Sequence, residues 1–177
     1  MIRAVLLALC LAGPATAQVP EPDGYRGEPY RAPVPATLQG ATVIDARQAI
    51  RLHADGVPFL DVLPRRANKP QGLPEGTVWR EPPHETIPGA VWLWDTGYEA
   101  LAPAEQARLE TGLRQATGGD PAAPVVIFCR SDCWMSWNAA RRAVSLGYAA
   151  VHWFPGGVEE WQAAGGAPLV RATPVAP

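Results

Sequence analysis

Cysteine is scarce in this chain of 177 residues: three in all, at positions 10, 129 and 133. That excludes a disulfide-stapled scaffold of the small secreted kind. Histidine is equally sparse, with three residues. No Ser/His/Asp ordering has local motif support, and neither a phosphate-binding glycine loop nor a haem-attachment motif is present. Nothing supplies a recognised quinone site, so no cofactor is expected. There is no Lys/Arg cluster, and the formal net charge is −2, which argues against nucleic acid. Beyond the first residues no apolar stretch is long enough to cross a membrane.

The N-terminus has the pattern of an export signal. Met1-Ile2-Arg3 is a short positive start, Ala4 to Gly13 an apolar run too short to span, and Ala15-Thr16-Ala17 offers small residues for cleavage before Gln18. Residues 1–17 therefore read as a signal peptide and the mature chain as periplasmic, not membrane-spanning. A lipid anchor on Cys10 is disfavoured by the bulky Leu9 before it. The remaining 18–177 suffice for one ordinary core and not two. Only Cys129 and Cys133 then remain, so their possible intramolecular partner is each other.

Residues 18–40 are rich in Pro, Gly, Tyr and Arg without helical or strand period. They predict an extended arm, ordered only if it docks, with Tyr25, Tyr30 and Leu38 as anchors. The domain is expected over 41–170, with a short tail at 171–177. Strands are predicted at 43–44, 57–63, 87–93, 124–128 and 151–154, and helices at 46–54, 103–116, 136–146 and 158–164. Apolar strands alternating with helices predict an α/β fold with a mainly parallel central sheet and helices on both faces. The Pro- and charge-rich segment 64–86 is too long for a routine connection and reads as a functional loop.

Chemistry is expected where the strand ending at Phe128 runs into Cys129-Arg130-Ser131-Asp132-Cys133-Trp134-Met135-Ser136 and then a helix. Helix-start N–H groups and the helix dipole favour an anion there, and can lower a thiol pKa. As first residue after the strand, Cys129 is expected at the centre of that cradle, with Arg130 adding positive charge. Cys133 is its redox partner, through dithiol chemistry or a Cys129–Cys133 disulfide. Asp61, at a strand end on the same edge, and His84, in the long loop, are candidate pocket residues; each has a bland alternative, holding a turn or packing. His53 and His152 read as packing residues. Trp134 and Trp137 wall a pocket, face a partner or fill the core, and Arg65 and Arg66 greet an anion or are solvated.

Phe59-Leu60-Asp61-Val62, Ile87-Pro88-Gly89-Ala90, Cys129-Arg130-Ser131, Ala139-Ala140…Leu146-Gly147-Tyr148 and Phe154-Pro155-Gly156-Gly157-Val158…Trp161…Gly165 together resemble the rhodanese superfamily over most of 41–170. Closer still, Tyr25-Arg26, Tyr30-Arg31-Ala32-Pro33-Val34-Pro35 and Cys133-Trp134-Met135-Ser136-Trp137-Asn138 resemble an exported branch, the PQQ-dependent catabolism-associated proteins with a Cys…Cys-Trp motif. The resemblance implies a rhodanese-like fold, sulfur transfer through a persulfide on Cys129, and association with quinoprotein alcohol oxidation. A periplasmic quinoprotein dehydrogenase or its maturation factors are the implied partners.

The loop departs from that pattern. The family's Gly after Cys-Arg-Ser is Asp132, and its arginine is replaced by Trp134 or, one residue later, Met135. Without that arginine a phosphate would lack its fork, which argues against phosphatase chemistry. Asp132 also opposes a bound thiosulfate dianion. Four readings stay open: sulfur transfer, dithiol–disulfide cycling, Cu(I) held by two thiolates with help from Met135 or a histidine, and an inactive binding module stiffened by a disulfide. No metal-ligand set is assigned.

Overall fold

The computed structural model describes residues 18–66, 68 and 70–175; the expected signal peptide lies outside them. Its core is a five-stranded parallel sheet in the order β1-β6-β5-β2-β4, comprising β1 (Thr42–Val43), β6 (Val151–Phe154), β5 (Val125–Phe128), β2 (Phe59–Asp61) and β4 (Val91–Trp92). The two central strands explain the arrangement. All four residues of β5 are apolar and buried, and a strand apolar at every residue needs cover on both faces.

That cover divides by strand parity. Val125, Ile127 and Cys129 face one apolar cluster with Leu60, Val62, Leu109, Leu113, Trp137 and Trp153. Val126 and Phe128 face another, with Phe59, Ile87, Phe154 and Trp161. On the first side lie α2 (Pro103–Ala116) and α3 (Trp134–Ser145); on the second, α1 (Ala46–Ala54) packs against α4 (Gly157–Ala163). The expected α/β fold with a mainly parallel sheet is thereby observed.

Local chemistry fixes the helix ends. Asp45 caps α1: its carboxylate accepts from Gln48 N at 2.7 Å, while Gln48 Oε1 accepts from Asp45 N. In α2, Pro103 stands at the first position and Glu105 Oε2 accepts from Ala102 N at 2.7 Å. Both spans agree with the sequence reading. Helix α3 begins at Trp134, two residues before the predicted start, because Cys133 is its N-cap.

The extended arm is docked. Leu38 is buried in the first cluster, and Tyr30 packs against it. Tyr25 is more exposed, yet the Arg142 guanidinium lies over its ring at 3.8 Å. Residue 31 forms an antiparallel bridge with Cys133. At the far end, β7 (Val170–Arg171) pairs antiparallel with β3 (Glu85–Thr86) inside the long loop. Pro174 bridges Trp92, and Trp94 Nε1 donates to Val175 O. The last described residues thus continue the packed domain past 171 by covering the β4 edge, a contact between distant segments that local pattern does not reveal.

Candidate functional site

The cysteine loop spans the C-terminal ends of β5 and β6 and is held from three directions. From α4, Glu159 accepts both Arg130 Nε at 2.6 Å and Ser131 N at 3.0 Å. From the turn before α4, Gly156 O accepts the Ser131 hydroxyl at 2.6 Å, and within α4 Val158 N donates to Cys129 O. From the arm, Ala32 N donates to Asp132 O at 3.1 Å and Tyr30 O accepts Trp134 N at 2.9 Å. Two of these clamps require particular backbone. Asp132 has φ 52°, the left-handed region that glycine adopts freely and Asp tolerates best among charged residues. Gly157 has φ 53°, and a Cβ there would stand 2.5 Å from Cys129 O.

Both cysteines are free thiols and both are buried, at 1% and 3% exposure. They are neighbours whose ionisations are coupled, each side chain acting on the other. The two diverge in ionisation. Burial pushes Cys129 well above the usual thiol range, and the adjacent Cys133 sulfur and the Asp61 carboxylate reinforce this. Cys133 is brought down to about 7, first by the hydrogen bond from Cys129 and then, against its own burial, by the backbone N–H groups of Met135, Arg130 and Ser136. Helix-start N–H groups expected to favour the Cys129 sulfur act on Cys133, the residue before α3, while the Arg130 N–H acts on both; the two side chains share the apolar cluster beneath the loop. The Arg130 side chain does not address the sulfurs: it is committed to Glu159.

Ser136 supports the loop from inside the helix. Its hydroxyl donates to Cys133 O at 3.0 Å and accepts Trp153 Nε1 at 3.0 Å. Met135 is buried against Gly97, where an added Cβ would lie 2.4 Å from its own. Trp134 and Trp137 stack edge to face at 5.5 Å, and both are buried. Arg26 lies over Trp134 and Arg141 over Trp137, so neither ring is an open aromatic surface.

Asp61 and His84 do come together, on the other side of the sheet edge. The fully buried Asp61 carboxylate accepts His84 Nε2 and Thr86 Oγ1, each at 2.6 Å, and Leu63 N at 2.9 Å. His84 also packs on Trp92 at 4.4 Å. A cavity of about 290 Å³ opens there, lined by His84, Trp92, Arg66, Arg130 and Glu159, without either sulfur in its walls. Arg65 is instead paired with Glu81 through Nε and Nη2. His53 Nε2 donates to Pro88 O at 2.8 Å, and the ring packs on Phe59 and Trp161 as a core residue. His152 is partly buried in β6, and desolvation lowers its pKa.

Sequence reasoning missed three contributors. Glu159 had a weak signal, an acid in the first turn of a helix following a Gly-Gly pair. Thr86 had none, and Asn138 stood in the Cys133-to-Asn138 motif with no role assigned to it. Buried Asn138 accepts from Arg26 N and donates to Arg26 O and Gly97 O, all at 2.9 Å, pinning the arm to α3. Among the described residues no group of three or more His, Cys, Asp or Glu is placed to hold a metal, and no helix is long and apolar enough to cross a membrane.

Comparison with known proteins agrees with this architecture. The family model for the Rhodanese-like domain matches residues 39–164. Among solved structures, an uncharacterized protein from Saccharomyces cerevisiae matches at 19% identity, covering 70% of this chain and 92% of that one, with a TM-score of 0.38. None of the curated proteins compared with the chain matches it.

Proposed function

We propose, from the premise that this chain belongs to the rhodanese-like domain family, that it is an exported accessory protein acting by thiol–disulfide exchange at Cys129 and Cys133. One observation carries the reading. The two free thiols lie buried in one apolar cluster, each affecting the other's ionisation, and Arg130, the cation of the loop, is paired with Glu159 rather than offered to an anion. A site so arranged favours closing a bond between its own thiols over holding an oxyanion donor. Sulfur transfer from Cys129 is the second reading. It is supported by family membership alone, and the buried, proton-retaining Cys129 weakens it.

Export to the periplasm rests on the pattern of residues 1–17. Linkage to quinoprotein alcohol oxidation rests on the arm and loop residues that carry the closer resemblance. These residues meet in space: Tyr30, Arg31 and Ala32 bond the loop around Cys133, and Arg26 bonds Asn138. They form one unit, as a shared role would require. The partner proposed is a periplasmic quinoprotein dehydrogenase or a protein that matures it.

The test is a titration of the purified mature chain against glutathione redox buffers, with the dithiol and disulfide forms counted by intact mass. A reversible two-electron transition between them is expected. Thiols that never pair, or a disulfide that resists every buffer, would dismiss redox cycling. Mass addition of one sulfur after exposure to thiosulfate would favour sulfur transfer instead. Fractionation of cells, and alcohol oxidation in cells lacking the gene, check export and pathway.

A further inference from the structure

The cavity beside Asp61 and His84 stands apart from the thiol chemistry, since neither sulfur lines it. We propose that it is a binding site for a small hydroxycarboxylate with an apolar body, its hydroxyl donating to His84 and its carboxylate held by Arg66.

The histidine is set up to accept. Asp61 is fully buried at the end of β2; its Oδ2 takes His84 Nε2 and Thr86 Oγ1, each at 2.6 Å, while Oδ1 takes Leu63 N. A carboxylate only accepts, so Nε2 carries the ring proton and the neutral ring presents Nδ1 as an acceptor. No described residue hydrogen-bonds Nδ1, although the side chain is only 11% exposed and its ring lies on Trp92. Asp61 is thus a positioning residue, fixing the tautomer and direction of one imidazole. A ring that merely filled space needs no carboxylate taken out of water on its behalf.

The rest of the wall supplies what such a ligand needs. Arg66 lines the cavity, and among the described residues no carboxylate pairs with it. Arg130 and Glu159 also line it but neutralise each other, and Glu159 spends its second oxygen on Ser131 N. Glu85 on β3 is the remaining charge, exposed to the solvent that screens it. An acceptor, a free guanidinium and an apolar floor of Leu63, Trp92, Val158 and Leu169 call for an occupant with a donor, an anionic group and an apolar body. The volume of about 290 Å³ is at the small end of the roughly 300–1,000 Å³ of ligand pockets, so that occupant is small. An inorganic oxyanion would leave the apolar floor uncovered.

The test is an NMR titration of the folded mature chain with mandelate and β-hydroxyhydrocinnamate. Controls are phenylacetate and hydrocinnamate, which lack the hydroxyl, and the methyl esters of the hydroxy acids, which lack the charge. Saturable shifts of the His84 ring, the Trp92 indole N–H and the Ser131 amide are expected with at least one hydroxy acid. That acid should bind about fivefold or more tighter than its deoxy partner and than its ester. In mildly alkaline solution the ring nitrogen shifts should place the proton on Nε2, and Nδ1 should move as a hydrogen-bond acceptor when the acid binds. His84→Phe keeps a ring on Trp92 and should erase the preference for the hydroxyl. Arg66→Gln, at an exposed position, should erase the preference for acid over ester with the fold untouched. Binding of no probe at the cavity, equal binding of acid, deoxy acid and ester, or a preference for the acid unchanged in Arg66→Gln overturns the proposal. So does a free ring whose proton is on Nδ1.

Discussion

Replacing Asn138 by alanine tests whether the arm is the cover of the cysteine site or only an appendage. The side chain makes three hydrogen bonds of 2.9 Å, two to Arg26 and one to Gly97. At about 1 kcal/mol net for each, their removal costs about 3 kcal/mol if the arm stays where it is. The arm has an alternative, however. Arg26 can regain its lost bonds from water by lifting, so the cost is shared between global stability and local opening. The expectation is a loss of about 2 to 3 kcal/mol in urea unfolding, or an equal gain in arm opening at unchanged global stability. Since about 1.4 kcal/mol is tenfold, the second route makes opening about a hundredfold more frequent. Amide hydrogen exchange reads it directly at Ala32 and Trp134, whose N–H groups bond across the arm–loop seam. Exchange at these two amides within about threefold of wild type, with stability unchanged, would refute the reasoning.

Other outcomes follow from the same geometry. The folded Cys133 pKa of about 7 is below its ordinary 9.0, so the reduced protein should gain stability as pH rises from about 7 towards 9 and lose it again on acidification. Cys129 is shifted the other way, which should turn stability downward in stronger alkali; urea midpoints under reductant, compared with Cys133→Ser, separate the two. Ser136→Ala leaves the buried Trp153 indole N–H without its acceptor and should cost about 1 to 3 kcal/mol by the same denaturant assay. Gly157→Ala forces a Cβ against Cys129 O at a positive φ. It should destabilise by at least about 2 kcal/mol, with a lower thermal midpoint, whereas Asp132→Gly should be neutral or slightly stabilising.

The legible parts of this fold were those that local chemistry decides. Helix α1 carries its own cap in Asp45 and α2 its own start in Pro103, so their limits can be read from a few adjacent residues. The buried strand β5 announces itself by an unbroken apolar run. Helix α3 was harder, because its cap is a cysteine whose sulfur is not a usual capping group. Asp61 and His84 were legible as candidates from position, but their hydrogen bond joins residues 23 apart across a loop without periodic structure. The division of labour between the cysteines was not legible. It depends on how two sulfurs buried in the same cluster act on each other and on the backbone N–H groups around them. Glu159 and the arm clamp belong to the same class, being fixed by contacts between segments far apart in sequence.

The bond between Arg26 and Asn138 spans 112 positions, and that separation has a bearing on how the molecule comes to be. The arm leaves the ribosome well before the helix it docks on exists, so the part of the chain made early is set in place late. Throughout that interval the thiols have no roof. Whatever oxidant or reductant the chain meets while folding acts on an open pair; once the arm has docked, any later exchange has to wait for it to lift, so the same pair answers quickly in the nascent chain and slowly in the finished one.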